Sequence, residues 1–270
     1  MTRAAVAERA GRDEGAAAVD PRIEQRRRQV AADRRRRRAR RALVVPVAAT
    51  VLAAGWAVTR SAALDVDELV VVGAERTSVD DVTTASGVRP GDALVDVDPT
   101  AVAAAVEALP WVREATVERR WRDGAVAVTL EERAPAAQVA AGEVRLLVDA
   151  SGRVLAEVPA PGVEGLMTLD GVAPADPGQA LQPDAAEPLA AAVALTPGVA
   201  SRVTAVRPGP VGVQLDLAPA GTAVLGSVED LDEKVRTLQT VFAEVQLDCL
   251  ATVDVRVPDT AVLTREASCR

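Results

Sequence analysis

The sequence predicts an α+β protein in which a single transmembrane helix precedes a small β-α-α-β-β domain and a mixed, mostly antiparallel β-domain with flanking helices. Two observations carry this prediction. An uncharged apolar run, residues 42–59, separates a basic leader from an acidic remainder. Beyond residue 60, short β-branched or alternating runs are separated by Gly and Pro, and only a few segments have the spacing of an amphipathic helix.

The charge changes sign along the chain. Residues 1–41 hold 14 Arg and 6 acidic residues, a net charge of +8, whereas the remaining residues carry 17 basic and 33 acidic side chains, a net charge of −16. An asymmetry of this size indicates that the two parts occupy different environments.

The missing residue types exclude several reaction classes. The chain has no His, so a Ser-His-Asp or Cys-His catalytic group and the common zinc-protease site cannot be built. Its one lysine, Lys234, lies in the context DEKVR, which matches no phosphate-binding loop. Paired carboxylates stay possible among the 39 acidic residues. No pattern indicates a metal or a cofactor.

The uncharged run is interpreted as one transmembrane helix. At 1.5 Å per residue, residues 42–59 span roughly 27 Å, close to the hydrocarbon thickness of a bilayer. The positive-inside rule keeps the preceding basic residues in the cytoplasm and exports everything beyond the run. A tryptophan lies one turn from its far end, at interface depth. The residues assigned to membrane topology are Arg34, Arg35, Arg36, Arg37, Arg38, Arg40, Arg41 and Trp56.

Alternatives remain open for this region. The run could be a buried core helix, or the hydrophobic part of a signal peptide cleaved near residues 61–63. The arginine run could bind nucleic acid. Beside a membrane span, we assign it instead to topology and to attraction by anionic lipid headgroups. We expect residues 1–41 to be a largely disordered cytoplasmic tail, and we expect no nucleic-acid partner.

The first part of the small domain predicts one strand and two helices. A β-branched run ends at Gly73. Ser78 is placed to cap a short helix that Gly87 ends. Asp98, followed by a proline at the first helical position, predicts the start of a second helix, which ends before Pro110.

The second part of the small domain predicts a hairpin. The stretch ALPWVREATVERRW is followed by Asp123-Gly124, a strong hairpin turn signal, and then by AVAVTLEER. We expect Trp111 to pack where the second helix meets the strand. We expect Trp121 to cap the small core from the end of that strand.

Arg119 shares the parity of the residues expected to face the core. A regular strand cannot bury an arginine there without a partner. We therefore expect a bulge or an edge position at Arg119, with Glu131 or Glu132 as an ion-pair partner.

The remaining residues predict a larger β-domain. VRLLVDASGRVLAEV contains two strands joined at residues 149–152, and a Pro- and Gly-rich span with weak signals follows. A helix is predicted from Asp184, then three strands, then a helix capped by Ser227. Strands over residues 251–257 and 260–264 end the fold. The cysteines, Cys249 and Cys269, lie in the part predicted to be exported, where a disulfide between them is possible.

The chain resembles the FtsQ/DivIB family of cell-division proteins. VVVGAERTS, GDALVDVD, LPWVREATVERRW and LEERAPAA follow a single signal anchor in the order of that family's POTRA (polypeptide-transport-associated) domain. LLVDASGRVL, AVLGSVEDLDEKVRTLQTVF and VDVRVPDTAVL fall where its β-domain has a strand pair, a late helix and closing strands. The resemblance extends over residues 40–264, and the GC-rich character of the composition favours an actinobacterial member.

The resemblance implies a division of the chain into five parts. These are a basic cytoplasmic tail (1–41), a signal anchor (42–59), a POTRA domain (60–133), an FtsQ-type β-domain (134–264) and a C-terminal tail (265–270). The residues assigned to the structure of the POTRA domain are Gly73, Pro110, Trp111 and Trp121.

The resemblance also implies a function without catalysis. Such a protein is a bitopic scaffold at the division septum, its N-terminus cytoplasmic and its C-terminal domain extracytoplasmic, that links early and late division proteins. It implies FtsB-like and FtsL-like partners bound by strand addition at the β-domain edge, and further division proteins bound through the POTRA domain or the transmembrane helix. The implied partner-binding residues are Arg256, Val257, Thr260, Ala261, Val262, Leu263 and Thr264. The aromatic anchors of the family's well-studied members are missing at this edge.

Two other function classes remain as alternatives. One is an anchored extracytoplasmic hydrolase that uses carboxylates, which would need several buried acids in one cleft. The other is a POTRA-bearing secretion or assembly factor, which would normally carry several POTRA copies, whereas this sequence shows one.

Overall fold

The computed structural model describes residues 42–58, 60, 64–245 and 250–265. They belong to two units, Met1–Arg60 and Ser61–Arg270. The arginine cluster assigned to membrane topology lies outside the described residues, and so do Cys249 and Cys269. The expectations for these residues therefore stay predictions.

In the first unit one helix, α1, is described over residues 42–58. Its large apolar side chains are exposed, and the guanidinium carbon of Arg60 lies 5.3 Å from the centroid of the Trp56 ring. Within the described ranges, no helix combines the length and the apolar character needed to cross a membrane.

The second unit begins with a three-stranded sheet. Its elements are β1 (Glu68–Val72), α2 (Val79–Ser86), α3 (Pro99–Glu107), β2 (Val112–Arg120) and β3 (Ala125–Glu132). β3 lies in the middle, parallel to β1 and antiparallel to β2. The predicted order of strand, helix, helix, strand and strand is confirmed.

The small sheet and its two helices share an apolar core made mainly of valine. The residues with no exposed surface are Val82, Leu94, Val106, Val112, Val126 and Val128. Burying such a side chain contributes about 1.5 to 3 kcal/mol to folding. Because valine is β-branched, it suits the strands that supply half of this core.

The predicted helix boundaries of the small domain are confirmed. The hydroxyl oxygen of Ser78 accepts a hydrogen bond from the N–H of Asp80 (3.2 Å), and α2 ends at Gly87, whose φ is 67°. The carboxylate of Asp98 caps α3 by accepting from the N–H of Thr100 (2.9 Å).

Trp121 does not cap the core, contrary to the prediction. β2 ends at Arg120, whose carbonyl accepts a hydrogen bond from the N–H of Asp123 (3.2 Å). The chain therefore turns before Trp121 can continue the alternation of the strand, and its side chain is 45% exposed. Trp111, by contrast, is half-buried, and the centroid of its ring lies 5.0 Å from the guanidinium carbon of Arg76.

Arg119 lies on an edge strand, as predicted, but the predicted glutamate partner is wrong. Its Nη1 donates to the carbonyls of Val95 (3.4 Å) and Val97 (3.3 Å). Glu131 instead forms an exposed ion pair with Arg113 (3.1 Å).

Glu132 holds the loop that precedes α2. Its carboxylate accepts hydrogen bonds from the backbone N–H groups of Glu75 (3.1 Å), Arg76 (3.0 Å) and Thr77 (2.7 Å). Desolvation by itself would raise the pKa of Glu132, but the hydrogen bonds outweigh it and lower the pKa. One side chain of β3 thus fixes the connection from β1 to α2.

The rest of the second unit forms a nine-stranded sheet with helices packed against it. The strands are β4 (Pro135–Ala141), β5 (Val144–Asp149), β6 (Val154–Pro159), β7 (Met167–Leu169), β8 (Val203–Gly209), β9 (Gly212–Leu217), β10 (Thr222–Gly226), β11 (Leu250–Val257) and β12 (Thr260–Arg265). The helices are α4 (Ala186–Ala194), α5 (Pro197–Ala200) and α6 (Leu231–Glu244). The strand order is β12-β11-β10-β9-β8-β7-β4-β5-β6. The pairs β4–β7, β7–β8 and β10–β11 are parallel and the others antiparallel, so the sheet is mixed, as predicted.

Sequence patterns located most of these elements but missed β4 and β7, and they misplaced the start of α6. The helix begins at Leu231, and the preceding Asp230 has φ of 52° and gives no side-chain cap. The predicted cap, Ser227, contributes its carbonyl instead, which accepts a hydrogen bond from Nζ of the buried Lys234 (2.8 Å).

Two arginines connect the small domain to the large sheet. Nη1 of Arg133, one residue after β3, forms an ion pair with Asp149 at the end of β5 (2.8 Å). Nη2 of Arg153 donates to the carbonyl of Ala108 at the C-terminal end of α3 (2.8 Å). Desolvation would raise the pKa of Asp149, but hydrogen bonds from Ser151, Arg133 and the backbone lower it.

We predict that Gly73→Ala destabilises the protein more than Gly87→Ala. Gly73 has φ of 86°, and a Cβ atom there would clash with the carbonyl oxygen of Leu130. Gly87 also has positive φ (67°), but a Cβ atom there would meet nothing within 4 Å. Gly87→Ala should cost about 1 to 2 kcal/mol for its left-handed backbone alone. Thermal and denaturant unfolding measure both, and equal losses would contradict the backbone clash.

We predict that Asp149→Asn makes stability less dependent on pH. Because the folded-state pKa of Asp149 is lowered, its ionised form stabilises the fold above its unfolded pKa of about 3.9, and this contribution is lost as the pH falls through the folded value. At neutral pH the substitution should cost about 2 kcal/mol, and the difference from wild type should shrink below about pH 4.

The matched control for this prediction is Glu131→Gln, which removes an ion pair whose side chains are exposed. It should cost less than about 1 kcal/mol. Unfolding measured at several pH values tests both variants, and a constant difference between Asp149→Asn and wild type would contradict the role given to the carboxylate.

Candidate partner-binding edge

β12 ends the nine-stranded sheet and pairs with β11 alone among the described strands. An edge strand presents unpaired N–H and C=O groups along its outer side. These groups can pair with a strand from another chain, so β12 is a candidate site for main-chain recognition.

β11 and β12 form a tight hairpin with an irregular register. Pro258 and Asp259 make its two-residue loop, with Val257 opposite Thr260, and Asp259 has φ of 58°. A register shift lies between Asp254 and Val257. Such a bulge twists the strand pair locally and re-aims its side chains.

The two faces of the hairpin differ in exposure. Leu263 lies opposite the buried Val253 and is 39% exposed, and Ala261 packs at the margin of the core. Val262 lies opposite Asp254 and is 62% exposed. Val257 is also 62% exposed. The hairpin thus keeps one face on the core while offering two valines to solvent.

An ion pair accompanies the exposed valines. Nη2 of Arg256 lies 2.7 Å from the carboxylate of Asp254, and Nε donates to the same carboxylate (2.9 Å). The hydrogen bonds from Arg256 lower the pKa of Asp254. These two residues, Val257, Thr260 and Val262 line a depression of 390 Å³.

The predicted partner residues therefore lie together on β12 and at the end of β11. Thr260, Val262, Leu263 and Thr264 are exposed on β12, and Ala261 is half-buried between them. Asp254 was not predicted. Its spacing of two residues from Arg256 on a strand, which places both side chains on one face, was the signal that could have indicated it.

The opposite edge of the sheet is protected. The N–H of Val154 on β6 donates to the carbonyl of Gln179, and its carbonyl accepts from the N–H of Gly178 (both 2.8 Å). Farther along, β6 has the exposed Glu157 and ends in Pro159. Covering segments, charges and proline are features that prevent strand pairing at an edge.

The described residues do not form the cluster of buried carboxylates that the alternative of a hydrolase would need. Among residues 64–245 and 250–265, Asp149 is the one carboxylate-bearing residue that is buried, and it is engaged by Arg133. No group of three or more Cys, Asp or Glu in the described part of the chain could hold a metal ion.

Comparison with known proteins supports a role in cell division. Residues 64–133 match the family model of the POTRA domain, FtsQ-type. Cell division protein FtsQ of Salinibacter ruber is 40% identical over 88 residues, which are 33% of this chain and 31% of that protein. FtsQ of Mycobacterium bovis is 29% identical over 216 residues, 80% of this chain and 65% of that protein. FtsQ of Corynebacterium glutamicum is 36% identical over 90 residues, 33% of this chain and 40% of that protein.

The chain spans less than two thirds of the length of these relatives. The matches nevertheless confirm the resemblance found in the sequence, including its actinobacterial character. The family model and the relatives are named for a fold and for cell division rather than for a reaction, which supports the prediction that the chain is not an enzyme.

Proposed function

We propose that the chain is an FtsQ-family cell division protein and a bitopic scaffold of the bacterial divisome, a proposal supported by the match of residues 64–133 to the FtsQ-type POTRA domain and by the FtsQ relatives. Its N-terminus is cytoplasmic, and its two extracytoplasmic domains act at the septum. It links early to late division proteins and binds FtsB-like and FtsL-like partners by strand addition at β12.

The observation that carries the binding mode is the asymmetry of the two sheet edges. β12 is exposed along its outer side and carries Val262, whereas the start of β6 is covered by residues 178–181. A partner strand on β12 gains main-chain hydrogen bonds, and the exposed valines give it apolar contacts. Aliphatic side chains thus take the place of aromatic anchors at this edge.

The membrane anchor is proposed from the sequence. The run of residues 42–59 carries no charge, and α1 covers residues 42–58 of it with its apolar side chains exposed. The full uncharged run, rather than the described helix, has the length that a bilayer span requires. The basic residues that precede it favour a cytoplasmic N-terminus.

A second contact surface is available on the POTRA domain. A groove of 380 Å³ lies beside α2 and α3 and is lined by acidic and small apolar residues. Its lining includes Asp92, Asp96, Asp98, Val97 and Ala101. Its acidic character suits a basic segment of another division protein, which would leave β12 free for the FtsB-like and FtsL-like partners.

We predict that Val262→Asp abolishes co-purification with the FtsB-like and FtsL-like proteins of the same organism. The substitution places a charge where the partner strand would cover an exposed valine, and losing a central contact of this kind costs at least about 2 kcal/mol, roughly a 30-fold loss of affinity. Capture of the two partners from membranes by the full-length chain measures the effect.

The matched control is Val211→Asp, which puts the same charge on a valine that is 49% exposed in the turn between β8 and β9. It should bind both partners as wild type does, and both variants should unfold at the wild-type temperature. Wild-type capture by Val262→Asp would refute strand addition at β12.

A further inference from the structure

The strand β1 forms one edge of the small sheet. Among the described strands it pairs with β3 alone, because the strand order of this sheet is β1-β3-β2. Its sequence, ELVVV, contains no proline and no basic residue. An edge strand that lacks these protective residues is open to pairing with a further strand.

The residues just before β1 show which way its backbone groups point. The N–H of Val66 donates to the carbonyl of Asp92 (2.8 Å), and the carbonyl of Val66 accepts from the N–H of Gly91 (2.8 Å). On the opposite side, the N–H of Asp67 donates to the carbonyl of Gly124, in the turn that leads into β3 (2.6 Å). Even-numbered residues of this extended segment therefore direct their backbone groups away from β3.

The same alternation continues into β1, because successive residues of a strand point their N–H and C=O groups to opposite sides. The residues of β1 whose backbone groups face outward are thus Glu68, Val70 and Val72. In the described part of the chain these groups have no backbone partner. A strand from another chain can therefore continue the pairing where the contact of residues 64–66 with residues 91–94 stops.

The other edge of the small sheet, β2, is protected. The N–H of Ala115 donates to the carboxylate of Glu107 on α3 (3.1 Å). Nη1 of Arg119 donates to two carbonyls of the loop that precedes α3. Charged side chains that are exposed on this strand include Glu114, Glu118 and Arg120. Such groups hinder strand pairing, so the two edges of the small sheet differ as those of the large sheet do.

The side chains of β1 indicate what kind of strand fits beside it. Leu69 and Val71 pack against the small core, so Val70 and Val72 lie on the other face of the sheet. Val72 is 52% exposed, and Val70 lies beside the buried Ala127 of β3. A strand with β-branched aliphatic residues on this face would cover both valines.

The charges next to β1 favour a basic partner. Glu68 begins the strand and Glu75 follows it in the next loop, and both side chains are exposed. The guanidinium of Arg76 is directed to the Trp111 ring, 5.0 Å from its centroid. A lysine or arginine opposite Glu68 would therefore complement the edge.

A second copy of this chain fits the edge less well. Antiparallel pairing of two β1 strands about Val70 would bring Asp65 of one copy near Glu75 of the other, at both ends of the pair. Like charges opposite each other destabilise a strand pair. Each Glu68 would face Val72 and gain no basic partner.

We infer that β1 accepts an extended segment of another protein, one that is aliphatic on one face and carries a lysine or arginine opposite Glu68. Main-chain hydrogen bonds to Glu68, Val70 and Val72 hold this segment. The chain then has one acceptor edge in each of its two sheets, so two partners bind without competing. The inference extends the proposed scaffold but does not depend on strand addition at β12.

The test measures binding of two fluorescein-labelled peptides, KTVTVTK and ETVTVTE, to the full-length chain in detergent micelles by fluorescence polarisation. Both peptides present two valines on one face in either strand direction, and only their end charges differ. KTVTVTK should bind at least about 10-fold more tightly than ETVTVTE. Of two KTVTVTK peptides methylated on alternate backbone nitrogens, one should lose binding and the other keep it.

Three substitutions locate the site. Val72→Pro removes an outward N–H from the edge and should abolish binding of KTVTVTK, while leaving the pairing with β3 intact. Glu68→Lys should remove the preference for KTVTVTK. Its matched control, Glu118→Lys, reverses an exposed charge on the protected strand β2 and should keep the preference. Thermal unfolding checks that all three variants are folded.

Each contrary result overturns the inference. KTVTVTK that binds Val72→Pro as it binds wild type does so, and so does an unchanged preference in Glu68→Lys. Loss of KTVTVTK binding in Val262→Asp would place the peptide on β12 instead. A wild-type chain that sediments as a dimer, with Val72→Pro as a monomer, would put a second copy on β1. None of these results affects the capture of partners at β12, which is measured separately.

Discussion

The architecture of the second unit depends on two adjacent side chains at the end of β3. Glu132 gathers three backbone N–H groups of the loop that leads into α2, and Arg133 forms the ion pair with Asp149 on the large sheet. Glu132 holds the small domain together, and Arg133 attaches the small domain to the large sheet. All four bonds involve an ionised carboxylate, which makes them stronger than hydrogen bonds between neutral groups. The bond from Thr77 to Glu132 and the Arg133–Asp149 ion pair are also partly shielded from water.

The two edges of the large sheet differ in how well they are protected against strand pairing. Natural sheets usually block both, because an open edge invites pairing with any other strand. Here β6 is blocked at its start by a covering segment, while β12 carries no proline, lysine or covering chain among the described residues. The hairpin is nevertheless packed firmly on the core, since Val253 and Val255 of β11 are fully buried. The hairpin is thus anchored in the core through β11, while the outer side of β12 stays unpaired. This combination is typical of an edge that accepts a strand from another chain.

The sequence predicted those helix boundaries that depend on local interactions. Ser78, Asp98 and Gly87 act through hydrogen bonds or backbone angles within a few residues, so their roles could be predicted from the sequence. β7 was missed because three residues inside a Pro- and Gly-rich span give no periodicity, and only the neighbouring strands make it a strand. Trp121 was misplaced because the turn begins one residue earlier than the alternation suggests. The ion pair between Asp254 and Arg256 was not predicted, although their spacing of two residues on β11 places both side chains on one face.

The order of strands in the large sheet has a metric consequence. β6 starts beside Arg153, at the junction with the small domain, and β12 is the ninth strand across. With neighbouring strands about 4.8 Å apart, the two outermost strands lie about 38 Å from each other across the sheet. The two edges are thus separated by the full width of the sheet, so a strand that paired with β12 would bind far from the junction with the small domain.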